Sequence, residues 1–348
     1  VADTATHVIA DAAADVFDVA PKVELHLHLE GAIPLETLWD LIEQYGGDPA
    51  VPTRDALVRH LRYTSFAHFI ETWVWMTGFV RTYEDFELVA AAVASQLARQ
   101  RILYAEASFS PTDFTRHGMT PQGIAVAVRR GLNRVPGTTV VLNCDLVRDT
   151  GPNRAAATLS AVAEVMAEAD IRGITIGGSE PDYPPELFTE VYRRAGALGF
   201  RLTAHAGEAS GPRSVRAALD YLGIERIGHG VRAVEDDRLL GRIIDEQIPL
   251  EVCPTSNLRT GVVPDWSHHP LATLLRRGAN VTINSDDPTF FHTTVAGELR
   301  TVAERYGTDP RHLTEQAITA SWMTSGEKTD VAAAIAGWWE RHDATERR

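Results

Sequence analysis

The chain has 348 residues, 44% of them hydrophobic and 23% charged, which supports a sizeable buried core and argues against disorder. Lys and Arg number 33 against 47 for Asp and Glu, a formal net charge of −14 that speaks against nucleic acid or an anionic membrane as partner. No run of 18 apolar residues occurs, and no basic segment leads into an apolar one, so a cytoplasmic protein is expected.

The first 20 residues, rich in Ala and Asp, read as a short helix or a loosely held tail. In the next stretch Val23, Leu25, Leu27 and Leu29 alternate with Glu24, His26, His28 and Glu30, the period of a strand. His26 and His28 therefore share one face, two residues apart, at the strand's C-terminal end. About 70 residues of helical periodicity follow, over 35–45, 53–61, 65–80 and 84–101, with Thr82 and Asp85 as an N-terminal capping signal. Phe66, Phe69, Trp73, Trp75 and Phe79 crowd this part. Most read as plain core; a minority can wall a pocket, because a segment inserted after the first strand overhangs its C-terminal end.

From there the chain alternates. Strands are expected at 102–109, 138–146, 172–176, 200–205, 226–229, 248–253 and 280–285, with helices between them at 121–134, 154–169, 185–198, 214–222, 236–246 and 271–277. With the first strand this makes eight in βα order, the count of an α/β fold closed as a (β/α)8 TIM barrel. No linker or composition break divides the chain, so one domain over 1–348 is expected, with a helical insertion at about 32–101 and C-terminal helices at 296–306, 312–323 and 331–341. Cys144 and Cys253 sit in apolar, strand-like contexts and read as isolated thiols.

In such a barrel the reactive groups lie at the C-terminal ends of the strands. Strand one ends in His26 and His28, strand four in Gly177-Gly178-Ser179-Glu180, strand five in His205-Ala206-Gly207-Glu208, strand six in His229 and strand eight in Asp286-Asp287-Pro288. A single core histidine is usually a satisfied core residue, and Asp-Asp-Pro alone is an ordinary turn or cap. Their joint placement at one end of the barrel carries the functional reading. His26, His28, His205 and Asp286 supply the N/O donors of a mononuclear Zn2+ site, and Glu208 and His229 remain as acid/base groups. These parts specify metal-assisted hydrolysis and leave the substrate open. One metal ion is expected: two-metal barrel hydrolases with His-x-His on strand one resemble one another in using a bridging carboxylated lysine, and no lysine occurs between Lys22 and Lys328.

The segments PKVELHLHLEG (21–31), YAEASFSP (104–111), HAGE (205–208), RIGHG (226–230), LEVCPTSN (250–257) and NSDDP (284–288) together resemble the adenosine deaminase family of the amidohydrolase superfamily, in family order over about 270 residues. The resemblance implies one Zn2+ on His26, His28, His205 and Asp286, with Glu208 giving a proton to N1 of a 6-aminopurine. It implies that His229 orients or deprotonates the water that attacks C6, that Asp287 meets the N7 edge and that the Gly178 backbone N–H reaches N3. The substrate is then a small purine nucleoside, converted to the 6-oxo purine and ammonia. Ser108 stands where adenosine deaminases usually carry Arg, and the acidic pair they tend to have around the strand-four glycine is replaced by Thr175-Ile176-Gly177-Gly178-Ser179. The Ser-Phe-Ser-Pro form and Gly211–Val215 look more like the branch that deaminates 6-amino-6-deoxyfutalosine in menaquinone synthesis, so this substrate stands beside adenosine and the adenine-specific branch is rated lower. Readings of other classes are a catalytically silent nucleoside-binding protein and a metal-dependent phosphoester or amide hydrolase. His60, His68, His117, His268, His269 and His312 read as surface or capping residues, and His292 as a candidate for the pocket mouth. Oligomeric state is not legible.

Overall fold

The structure is a computed structural model, describing residues 15–63 and 66–347. The expected tail before residue 15 and the start of the predicted helix at 65 lie outside these residues. Eight parallel strands pair in chain order: β1 (Lys22–His28), β2 (Ile102–Phe109), β3 (Thr139–Asp145), β4 (Ile171–Thr175), β5 (Arg201–Ala206), β6 (Arg226–His229), β7 (Leu250–Val252) and β8 (Val281–Ile283). A bridge between Leu27 and Asp286 joins the last strand end to the first, giving the (β/α)8 barrel. Strands buried on both sides need near-continuous apolar runs; β1 is buried throughout, with Leu25 and Leu27 each 1% exposed.

The short helix α1 (Val16–Val19) precedes β1, and α2 (Leu35–Gln44), α3 (Arg54–His60), α4 (Phe66–Thr77) and α5 (Tyr83–Arg99) lie between β1 and β2. Thr82 caps α5 through a full capping box with Asp85. The outer layer continues with α6 (Pro121–Leu132), α7 (Gly151–Glu164), α8 (Thr189–Ala197), α9 (Pro212–Ala217), α10 (Asp237–Asp245), α11 (Pro254–Arg259) and α12 (Leu271–Arg277). After β8 come α13 (Pro288–Phe291), α14 (Val295–Tyr306), α15 (Pro310–Ala320) and α16 (Ser325–Glu346).

The differences from the expected boundaries have local causes. β7 stops at Val252 because Pro254 opens α11 and the residue before it leaves the helical region. β8 stops at Ile283 because the chain turns inward, with Asp286 at φ +62°. Helix α15 ends at Ala320, three residues earlier than its periodicity suggested, where Ser321 goes extended at ψ 159°. In β1 three steps, Glu24 to Leu27, span the two steps from Ala105 to Ala107 on β2. This bulge re-aims the strand just before its histidines.

Candidate active site

At the C-terminal end of the barrel four side chains meet. His26 Nε2 and His28 Nε2 lie 3.1 and 3.2 Å from His205 Nε2, and 3.6 and 3.3 Å from Asp286 Oδ1. Ligand atoms about 2.0–2.1 Å from a tetrahedral metal ion sit about 3.3 Å apart, so the spacing fits a divalent ion. The proton positions fit as well. His26 Nδ1 donates to Glu251 Oε2 at 2.8 Å, which leaves its Nε2 as a lone pair. His205 Nδ1 pairs with the Thr175 hydroxyl at 3.3 Å, and the Ser256 hydroxyl donates to Asp286 Oδ2 at 2.6 Å, leaving Oδ1 toward the imidazoles. Such outer contacts commonly fix ligand tautomers. The Asp286 backbone is itself stitched to β1, its N–H to His26 O at 3.0 Å and its carbonyl accepting from His28 N–H at 2.9 Å.

His229 is close enough to be weighed as a donor too, since His26, His205, His229 and Asp286 offer ligand atoms within 4.8 Å of one another. Its Nε2 stands 3.9 Å from Asp286 Oδ2 and 3.6 Å from Glu208 Oε2. His28 Nε2, at 3.2 Å from His205 Nε2 and 3.3 Å from Asp286 Oδ1, comes nearer to Asp286 than His229 Nε2 does, so both histidines stand beside the group. Burial holds His229 down to about 3, a neutral imidazole at pH 7 whose Nδ1 is 3.2 Å from the Asn257 amide. Like Asp286, His229 has a positive φ, +59°, a conformation that costs a non-glycine residue energy and recurs at functional sites.

Glu208, 16% exposed at its side chain, is pushed up to about 8 by burial, with Asp286 and Glu180 adding to the effect. It is therefore a protonated acid near neutrality. Burial and the adjacent Asp286 also raise Asp287 well above the usual carboxylate range, and its Oδ1 has no partner among the described residues. Gly31 makes room for it: a Cβ there would fall 1.7 Å from Asp287 Oδ1. Gly178 has φ +103°, and a Cβ would meet Asp149 Oδ2 at 1.8 Å, so only glycine fits this turn.

Glu208, His229, Asp287 and Gly178 all line one cavity of about 330 Å3, together with His28, His205 and Asp286. One wall is the apolar face of α4, with Phe69, Ile70, Trp73 and Val74; another carries Ser110, Asp113, Arg116 and Asp149. Of the aromatic residues singled out, Phe69 and Trp73 thus wall the pocket, while Phe79 is core and Trp75 donates to Asp48 at 3.0 Å. Ser179 lines the cavity; Ser108 and His292 do not. His269 is 3% exposed, not at the surface, although its Nδ1 does cap the Leu271 N–H at 3.1 Å. The sequence reading missed Glu251, Ser256, Asn257 and Glu180 as supports. Two of them carried a signal: Glu251 as a charged residue inside an apolar strand, and Glu180 as one of the polar groups at the end of strand four.

The family model for adenosine deaminase matches residues 21–338. The chain belongs to the adenosine deaminase family. It is 36% identical to an adenine deaminase of Rhodospirillum rubrum over 91% of this chain and 96% of that protein. It is 35% identical to an aminodeoxyfutalosine deaminase of Streptomyces avermitilis over 90% of each. Among solved structures, an amidohydrolase from Burkholderia ambifaria with bound Zn superposes with a TM-score of 0.87 at 27% identity, covering 99% of this chain and 97% of that one. The chain is thus an aminohydrolase of the amidohydrolase superfamily, in a lineage that deaminates aminopurines. Identities of 36% and 35% do not rank adenine below aminodeoxyfutalosine, as the strand-two residues had suggested.

Proposed function

We propose that the chain hydrolyses the exocyclic amine of a 6-aminopurine nucleoside, water replacing the amine at C6 to give the 6-oxo purine and ammonia. The observation that carries this reading is the convergence of four donors at 3.1–3.6 Å beside a carboxylic acid and a neutral imidazole in one cavity. His26, His28, His205 and Asp286 hold one zinc ion, which when bound makes water nucleophilic near neutral pH. Glu208 gives its proton to N1 as electron density moves there from C6, which favours addition of water to the ring. His229 orients the attacking water and takes its proton. Asp287 meets the N7 edge, and the Gly178 N–H, for which no acceptor is found among the described residues, meets N3. The complete set speaks against a catalytically silent binding protein.

A second reading of the substrate, 6-amino-6-deoxyfutalosine, draws on the outer part of the cavity. Ile70 and Val74 line it while 40% and 50% exposed, and Arg116, which also lines it, donates to His117 Nε2 at 3.2 Å and makes no ion pair among the described residues. An apolar, anionic group beyond the ribose would cover both features. A deamination screen over adenosine, 2′-deoxyadenosine, adenine and aminodeoxyfutalosine decides between them, read by ammonia release and the shift in purine absorbance. Zinc-loaded protein inert on all four would overturn the proposed activity.

A further inference from the structure

Behind His26 the barrel interior holds a row of buried charges along its axis. Glu251 Oε2 accepts from His26 Nδ1 at 2.8 Å, and Glu251 Oε1 accepts from Arg226 Nε at 2.6 Å. Arg226 Nη2 reaches Glu106 Oε2 at 2.5 Å, and Glu106 Oε1 accepts from the Trp322 backbone N–H at 2.7 Å and the Tyr104 hydroxyl at 3.0 Å. Arg226 Nη1 donates to Ala320 O at 3.0 Å, and its guanidinium lies 3.9 Å from the centre of the Trp322 ring. Glu106, Arg226 and Glu251 are each at most 1% exposed.

Stability alone is a weak reason for this arrangement. Desolvating three charges is costly, and well-packed apolar residues of similar volume often serve a core as well or better. The end of the row supplies a different reason. One face of the Glu251 carboxylate is fixed by Arg226, so the other is presented to His26 Nδ1 and directs the Nε2 lone pair toward Asp286 and His205.

We propose that Arg226 is a positioning residue for the metal centre, acting through Glu251 to lock the tautomer and orientation of His26. The turn after α15, through Ala320 O and the Trp322 backbone and ring, anchors Arg226 from the far end of the barrel, so the C-terminal helices contribute to metal affinity. The inference rests on the reading of His26 as a zinc ligand.

The test measures the zinc dissociation constant by competition with a chromophoric chelator and the visible spectrum of the cobalt-loaded protein, for wild type, Glu251→Gln and the double variant Glu106→Gln/Arg226→Met. Circular dichroism melting of each metal-free protein checks folding. The double variant removes one negative and one positive charge, so the interior keeps its net charge and Glu251 keeps its carboxylate. Gln at 251 cannot accept from both Arg226 and His26 in the same geometry. Each variant is expected to fold, to bind zinc roughly 10–100-fold more weakly and to change the cobalt spectrum, with Arg226→Lys restoring part of the affinity. Folded Glu251→Gln with wild-type zinc affinity and cobalt spectrum would overturn the proposal even if the double variant failed to fold. Wild-type protein that takes up no zinc would instead overturn the metal reading beneath it.

Discussion

Glu208 is held by groups that take no part in the proposed chemistry. Glu180 accepts from the backbone N–H groups of Gly207 at 2.6 Å, Glu208 at 3.2 Å and Ser210 at 2.8 Å, fixing the turn that points Glu208 into the cavity. Glu208→Gln keeps this frame and the metal ligands but cannot supply the proton to N1. It is expected to bind zinc at the wild-type stoichiometry and lose about 10²–10⁴-fold in kcat; turnover near wild type would remove Glu208 from the mechanism. Gly31 acts on its neighbour by leaving space. With Asp287 Oδ1 1.7 Å from where a Cβ would stand, Gly31→Ala must displace Asp287 or the backbone. About 1–3 kcal/mol of stability and at least tenfold in kcat/KM are expected to go, read by denaturant titration and steady-state kinetics. A variant with unchanged kcat/KM would show that the position of Asp287 does not matter to turnover.

At the scale of elements, α14 carries a buried carboxylate to the first turn of α11. Glu298 Oε1 accepts from the Thr293 hydroxyl at 2.5 Å and Oε2 from Thr255 N–H at 3.3 Å. Burial nonetheless pushes it up to about 7 from an ordinary value near 4.5. Between these values the folded chain binds more protons than the unfolded one, so this group's contribution falls as pH rises from about 4.5 to 7 and is least favourable above that. Glu298→Gln should therefore gain stability relative to wild type between pH 5 and pH 8, by about 1–3 kcal/mol. Urea unfolding at both pH values checks it, and a difference that does not change with pH would sink it. The sequence exposed the strands and helices because each apolar run ends in polar residues and each helix carries its own periodicity and caps. His26, His28, His205, Glu208, His229 and Asp286 stood out for the same reason, being the polar ends of apolar strands. Glu251 meets His26 across 225 residues of chain, and the β1 bulge exists only against β2; such features follow from barrel closure, which no local pattern records. The three-residue β7 and β8 were overestimated at both ends, and the residues that follow them, Cys253-Pro254 and Asn284-Ser285, belong to the turns that build the site.

At the scale of the whole molecule the proposed metal site sits on the barrel's weakest join. β1 pairs with β2 over five registered positions, whereas the join between β8 and β1 is a single bridge at Leu27 and Asp286 among the described residues. It is supplemented by Leu25 N–H to Asn284 Oδ1 at 3.0 Å and the Ser285 hydroxyl to Glu24 Oε2 at 2.8 Å. His26 and His28 come from one side of this join, Asp286 from the other, and His205 from β5 across the barrel. A metal ion bound to all four would tie the first strand to the last and both to the fifth. Ligand that binds only the folded state stabilises it by about 4 kcal/mol at a thousandfold excess over Kd. Dipicolinate-stripped protein is therefore expected to melt at lower temperature, with zinc restoring the transition. The loss should be local first: in hydrogen exchange the amides of His28 and Asp286, which cross the join, should lose protection before those of Ala105 and Val141 in the β2–β3 pair. Equal melting temperatures, or uniform loss of protection over all eight strands, would show that the join holds without the metal.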